Sequence, residues 1–257
     1  MPKRFITPEM VMTNRFLTYP RPQWDCAVVC FRDYQGSQIL VNAFDARPLG
    51  YKAIYGMEEC AEFPIVYETE ILGRRIGIVT RCNWGAPQAA IIVEELATLG
   101  VTSIIGYGAA GSIQRDLTRG TQLMVRSALC NDGTSQVYHK DATSVGGSVT
   151  LRTRAQVAAQ RLGHPLIEVS AATVDALYRE TDELVSQWQA AGAEIINMES
   201  GALYATSESC GIRSLWLGFV SDCLVEEGWQ DWHVNLSEMA EITAAICLET
   251  VRDCVGI

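Results

Sequence analysis

The feature that most constrains this chain is an alternation of strand-length apolar runs with stretches of helical spacing, punctuated by glycine. "CAVVCF" (Cys26–Phe31), "VTSIIGYG" and "RSLWLGFVSD" are near-continuous apolar runs, as strands covered on both faces require. "GAPQAAIIVEELATLG" places Pro87 in a first helical turn. Ile91, Ile92, Leu96 and Leu99 follow at helical spacing, and Gly100 stops the helix. Further helices are predicted at Leu151–Leu162, at about Thr181–Ala191, through "ESGALYATSESC" and at Leu236–Val255. Further strands are predicted around Ile65–Glu70, Arg75–Thr80 and Leu166–Ser170, and in "GTQLMVRSALC" and "AEIINM". Strands alternating with helices predict an α/β fold: a mixed, mostly parallel central sheet flanked by helices. No Pro- or Ser-rich linker interrupts residues 1–257, so one domain is expected.

Composition narrows the partners. A formal net charge of −10 argues against nucleic acid, whose phosphates select basic faces. The apolar runs are too short to span a bilayer, and "MPKRFITPEMVMTNRF" lacks the apolar core of a secretory signal, so a cytoplasmic protein without a membrane partner is expected. Nine cysteines show no CxxC spacing and read as reduced thiols. His139, His164 and His233 stand away from any close cysteine pair, so no metal site is expected.

Four places can carry chemistry. "SIIGYGAAGSI" (Ser103–Ile113) reads as a buried strand entering a small-residue turn, where backbone amides of Gly108 to Gly111 can cradle an anion. In "IINMESGALYA", Glu199 follows a strand and opens a helix, a position where open α/β sheets bind ligands; in isolation such an acid often only caps the helix. "WLGFVSDC" ends a strand in Ser221 and Asp222, an acid able to donate a proton or merely to close a turn. "ATVDALYRETDE" sets Leu177 and Tyr178 in a loop where an aromatic can stack on a flat ligand or pack on the core.

Taken in this order, these elements resemble the purine nucleoside phosphorylase and uridine phosphorylase family, which includes nucleosidases. "VEELATLGVTSIIGYGAAGSI" and "AGAEIINMESGALYATSESCGIRSLWLGFVSD" carry the resemblance, which runs from about Ile65 to the C-terminus. It implies cleavage of a nucleoside's N-glycosidic bond through an oxocarbenium-like ribose, without a cofactor and with phosphate as a possible co-substrate. It implies that Met198 packs on the ribose, Glu199 accepts its 2′- and 3′-hydroxyls, and Leu177 and Tyr178 flank the base. Asp222 matches the acid that protonates a purine leaving group, which tilts the substrate towards a purine-like nucleoside. A homo-oligomer built from dimers, up to a hexamer, is implied as well.

The phosphate side departs from the family pattern. Gly106 and Ala109 stand where phosphorolytic members carry an Arg and a Ser or Thr. The Gly-Asp-Pro loop is replaced by "FRDYQGSQ", and the N-terminal His by Phe5 or a neighbour. Where a neighbouring subunit's Arg belongs, the chain offers Glu58, Glu59 and Glu62. Arg81, Arg32 and Arg47 are the candidates to hold phosphate from another direction, with Arg81 favoured because it ends the strand "IGIVTR". Three readings therefore stand: a phosphorylase with relocated arginines, a nucleosidase in which a carboxylate activates water, and a nucleoside-binding protein that has lost ordinary cleavage. The first is the family default.

Overall fold

The computed structural model describes residues 4–55, 57, 64–225 and 236–256. The N-terminal part holds α1 (Pro8–Arg15), β1 (Cys26–Cys30), α2 (Tyr34–Ala43), β2 (Arg47–Pro48), β3 (Val66–Ile71), β4 (Arg74–Val79) and α3 (Ala86–Thr98). The middle holds β5 (Ser103–Ser112), β6 (Gln122–Cys130), α4 (Gly133–Tyr138), β7 (Ser144–Gly146) and α5 (Val149–Leu162). The C-terminal part runs through β8 (Ile167–Thr173), a 3-10 turn at Leu177–Arg179, α6 (Asp182–Ala190), β9 (Ile195–Asn197), α7 (Ser200–Ser209), β10 (Arg213–Cys223) and α8 (Ser237–Val255).

All ten strands join one mixed sheet, in the order β10-β6-β8-β9-β5-β1-β4-β3-β2, with β7 beside β6. Because β10 also pairs with β5, strands β5, β10, β6, β8 and β9 close on themselves like a small barrel. Parallel pairing joins β1 to β4 and β5, β5 to β10, and β8 to β6 and β9. The fully apolar runs fall where both faces are covered: every residue of β1 is buried, as are all of β10 after Arg213. Helices α3 and α7 cover one face, and α2, α5 and α8 the other.

Helix boundaries follow the predicted signals. Pro87 sits in the first turn of α3 and Gly163 closes α5 in the left-handed conformation. Ile91 is the exception to the α3 stripe: it is 47% exposed, while Ala89, Ile92, Val93 and Leu96 face the core. Helix α2 lies in the segment "FRDYQGSQ", which carried no helical pattern; Asp33 caps it, accepting a bond from the Gly36 amide at 2.9 Å. Among the described residues all eight cysteines are free thiols, Cys210 and Cys254 only half-buried. No described helix is long and apolar enough to cross a membrane.

The largest departure from expectation is "GYGAAGS". It is not a turn. These residues continue β5 to Ser112 and pair in parallel register with β10, Gly108 opposite Gly218 and Ala109 opposite Phe219. Gly106, Gly108 and Gly111 all keep negative φ, so successive amides alternate in direction and do not converge as an anion nest. The small residues answer a packing demand instead. The buried Trp216 indole lies across them: a Cβ on Gly106, Gly108 or Gly218 would approach it to 3.1, 2.7 or 2.4 Å.

Candidate functional site

A pocket of about 310 Å³ opens where β1, β5, β9 and β10 end, the place where open α/β sheets put ligands. Four strand ends supply its wall, which explains how residues nearly 200 apart in sequence meet: Arg32 follows β1, Ala109 to Gly111 lie on β5, Met198 and Glu199 follow β9, and Asp222 ends β10. Leu177 and Glu180 come from the loop after β8.

Glu199 occupies the N-cap position of α7, yet its side chain makes no capping hydrogen bond. That role falls to Asn197, whose Oδ1 accepts bonds from the Ser200 amide and hydroxyl at 3.3 and 2.8 Å. Thr173 completes the support, accepting from the Gly201 amide at 2.8 Å and bonding Ser200 Oγ at 3.1 Å. Glu199 is thus left for the pocket rather than for the helix. Burial pushes its carboxyl up to about 7, opposed by backbone hydrogen bonds from Gly85 and Met198. A carboxylate held this way is ready to accept donors that a ligand brings.

Asp222 is 8% exposed and accepts a bond from the Ser221 hydroxyl at 2.6 Å. The same hydroxyl lies 3.2 Å from the Ala110 carbonyl, tying the end of β10 to β5. Near Asp222 stands Glu180, a residue the sequence pattern did not single out. Burial pushes its carboxyl up to about 7, and the charge of Asp222 adds to the rise.

Arg32 is the cation of the pocket among the described residues, facing Asp33, Glu180, Glu199 and Asp222 on the same lining. Its guanidinium stacks 5.1 Å above the Phe219 ring, and its Nε is buried without a hydrogen-bond partner. Gly36 leaves the space: a Cβ there would meet Arg32 Cβ at 2.7 Å.

The structure therefore brings together Arg32, Ala109, Leu177, Met198, Glu199 and Asp222. Three expected residues stand elsewhere. Tyr178 is 95% exposed and outside the lining, because the 3-10 turn rotates it away from Leu177. Gly108 is covered by Trp216. Arg81, the favoured phosphate candidate, leaves β4 at a φ of 52° and donates to the Pro64 carbonyl at 3.2 Å, outside the lining. Arg47 lies at the sheet's far edge on β2. Glu58, Glu59 and Glu62 fall outside the described residues, whereas Phe5 is 93% exposed.

A family model described as the phosphorylase superfamily matches residues 46–252. The chain belongs to that superfamily. It is 30% identical to guanosine phosphorylase of Halorubrum lacusprofundi over 130 residues, 51% of this chain and 54% of that one. It is 25% identical to a DeoD-type purine nucleoside phosphorylase of Clostridium perfringens over 220 residues, 82% and 90% of the two chains. Uridine phosphorylase of Haemophilus influenzae is 26% identical over 168 residues, 60% and 66% respectively. The match thus spans about half the length of the guanosine enzyme. All three of these relatives are named as nucleoside phosphorylases.

Within this superfamily member, sequence reasoning missed Trp84, Glu180 and Leu236 on the lining. Glu180 had one readable signal: it falls three residues after Leu177, which also lines the pocket. Trp84, 55% exposed beside the glycine that precedes α3, had none.

Proposed function

We propose that this protein cleaves the N-glycosidic bond of a purine-like nucleoside, with phosphate as the acceptor. The observation that carries the reading is the single pocket shared by Glu199, Met198, Leu177 and Asp222. In this reading Glu199 accepts the ribose 2′- and 3′-hydroxyls, and its negative charge stabilises the cation that develops on the sugar as the bond to the base breaks. Met198 packs against the ribose and Leu177 against the base. Asp222, oriented by Ser221, donates a proton to the departing ring nitrogen. The bond electrons leave with the base, and a phosphate oxygen forms the new bond at the anomeric carbon. Arg32, with its unpartnered Nε, holds that phosphate; Ala109 borders it without a hydroxyl to offer. No cofactor is required by this chemistry. We place the enzyme in the cytoplasm as a homo-oligomer built from dimers.

Hydrolysis is the second reading, and one observation favours it. The place of the family arginine, Gly106, is sealed by Leu203, Trp216 and Phe31, so no cation reaches phosphate from that strand. Water would then attack the same carbon and free ribose would result. The test is a nucleoside panel incubated with and without inorganic phosphate, with the sugar product identified. Ribose 1-phosphate whose formation saturates with phosphate supports phosphorolysis. Free ribose at equal rates in both buffers supports the nucleosidase, and binding without turnover in either supports a binding protein.

A further inference from the structure

At the other end of the sheet from the pocket, the starts of β4, β1, β5 and β10 border a cavity of about 120 Å³. Arg74, Ser103 and Arg213 are the first residues of β4, β5 and β10, and Asp25 immediately precedes β1. Register sets them side by side: Cys26 pairs with both Ile76 and Ser103, and Ser103 pairs with Arg213. Cys254, near the end of α8, lines the same space. From Ser103 to Gly111 on the pocket lining, β5 runs roughly 25 Å, so the two spaces are separate. Donors are left unmatched here. Ser103 is 2% exposed, and its hydroxyl has no hydrogen-bond partner among the described residues. Arg213, whose charge acts on the thiols of Cys26 and Cys254, has no ion pair or side-chain hydrogen bond among them either. Beside Cys254 stands Arg154 of α5, its Nη1 buried and unpartnered. The nearby acids are already engaged, Asp25 with Arg74 at 3.2 Å and Asp253 with Arg161 at 3.0 Å.

We propose that this cavity binds inorganic phosphate, held by Arg213, Arg74 and the Ser103 hydroxyl, with Asp25 accepting the anion's own proton. The site is distinct from the one given above to phosphate at Arg32, and it does not depend on which reaction the pocket performs. The cavity holds on the order of four waters' volume, room for one tetrahedral oxyanion. Guanidinium forks match such oxygens in pairs, and the hydroxyl adds a third direction. A buried hydroxyl left unbonded is unfavourable, so a ligand that brings an acceptor to Ser103 removes that penalty. Asp25 decides which oxyanion fits. Its carboxylate accepts from Arg74 and from the Arg75 amide at 3.3 Å, which leaves lone pairs for one more donor. Inorganic phosphate near neutral pH still carries a proton to donate there. Sulfate carries none, and a phosphate monoester has largely lost its own. Either would set bare oxygens against the carboxylate.

The test is calorimetric titration near neutral pH with inorganic phosphate, sulfate and glycerol 3-phosphate. Every protein titrated carries Arg32→Gln, which removes the cation proposed to hold phosphate in the pocket. Arg213→Gln and Ser103→Ala are then added singly, with thermal midpoints to establish that each variant folds. The Arg32→Gln protein is expected to bind phosphate still. Arg213→Gln should weaken that binding about tenfold or more, because it removes a charge-assisted contact. Ser103→Ala should weaken it several-fold, about as expected for one hydroxyl. Sulfate and glycerol 3-phosphate should bind at least about tenfold more weakly than phosphate, since neither brings the proton. Phosphate binding that is absent from the Arg32→Gln protein, or that neither added substitution alters, overturns the proposal. Sulfate bound as tightly as phosphate overturns it as well.

Discussion

On one wall of the pocket, β9 and β10 end in Glu199 and Asp222, carboxyl groups buried or nearly so and each supported by a neighbouring hydroxyl or amide. Between those two strand ends, paired with both, the β5 wall presents Ala109, Ala110 and Gly111, with Gly106 and Gly108 behind them under the Trp216 ring. All three strands are neighbours in one closed set, with β5 in the middle. They differ in what holds them. The acidic wall keeps polar groups whose burial is unfavourable unless a ligand uses them. The β5 wall has been filled with apolar packing, which is stable with no ligand at all. One fold can therefore hold buried carboxyl groups on two strand ends while the strand between them offers no charged side chain. Arg32, stacked on Phe219 from the loop after β1, is the cation of the lining among the described residues.

The sharpest way to break this contrast is Glu199→Ala. If Glu199 stabilises the sugar cation, kcat/KM for the preferred nucleoside should fall on the order of 10²–10³-fold. The thermal midpoint should not fall with it, because a desolvated carboxyl is being removed. Activity within a few-fold of wild type would reduce the acidic wall to a helix end. Next in size is Asp222→Asn, expected to slow a purine nucleoside by about 10²-fold, within the range for general acid catalysis. A riboside whose leaving group needs no proton, such as a nitrophenolate, should be slowed far less. Equal slowing of both substrates would assign Asp222 to binding.

The β5 wall is probed by Gly106→Ala. The new methyl would stand 2.9 Å from Leu203 Cδ2 and 3.1 Å from Trp216 Cδ1, and overpacking of this kind costs about 1–3 kcal/mol. Denaturant unfolding should report that loss. A variant as stable as wild type would mean the wall is loosely packed and could have housed a longer side chain.

The smallest effect lies away from both walls. Glu95 on α3 is 4% exposed and accepts a bond from the Tyr55 amide at 2.8 Å; burial pushes it up to about 7. With the folded value above the unfolded one, the native state holds more protons in between, so this group's contribution declines as pH rises from about 4.5 to about 7. Glu95→Gln keeps an acceptor for the amide and removes the titration. It should therefore be more stable than wild type above pH 7 by roughly 1–3 kcal/mol, converge with it near pH 4.5, and leave turnover unchanged. Chemical denaturation across pH checks the slope, and an unaltered slope would contradict the burial argument. The contrast with Glu199 is one of place: both carboxyl groups are displaced by burial, but only Glu199 lines the pocket.

Much of this was legible in the sequence because the signals were local. Buried apolar runs, Pro87 at a helix start and glycines at helix ends each act within a few residues. Met198, Glu199 and Asp222 were legible because each stands at or just past a strand end; they meet because β9, running antiparallel, and β10, running parallel, both pair with the end of β5 at Gly111. The glycine-rich stretch misled because its small residues suit an anion turn and a close-packed strand equally well. What decides between them is Trp216, about a hundred positions further along. Arg81 misled for the opposite reason, since a strand end places the backbone but not the long side chain, which turns to Pro64. Glu180 was silent because nothing within its own segment shows that Asp222 lies nearby.

The central claim is that the acidic wall cleaves a nucleoside while phosphate, held from the Arg32 side, takes the sugar. The most direct measurement is to run the reaction with a purine nucleoside and phosphate in water enriched in oxygen-18, then follow the label in the sugar product. The account predicts ribose 1-phosphate whose anomeric oxygen comes from phosphate and carries no label. Free ribose labelled at its anomeric carbon would contradict it.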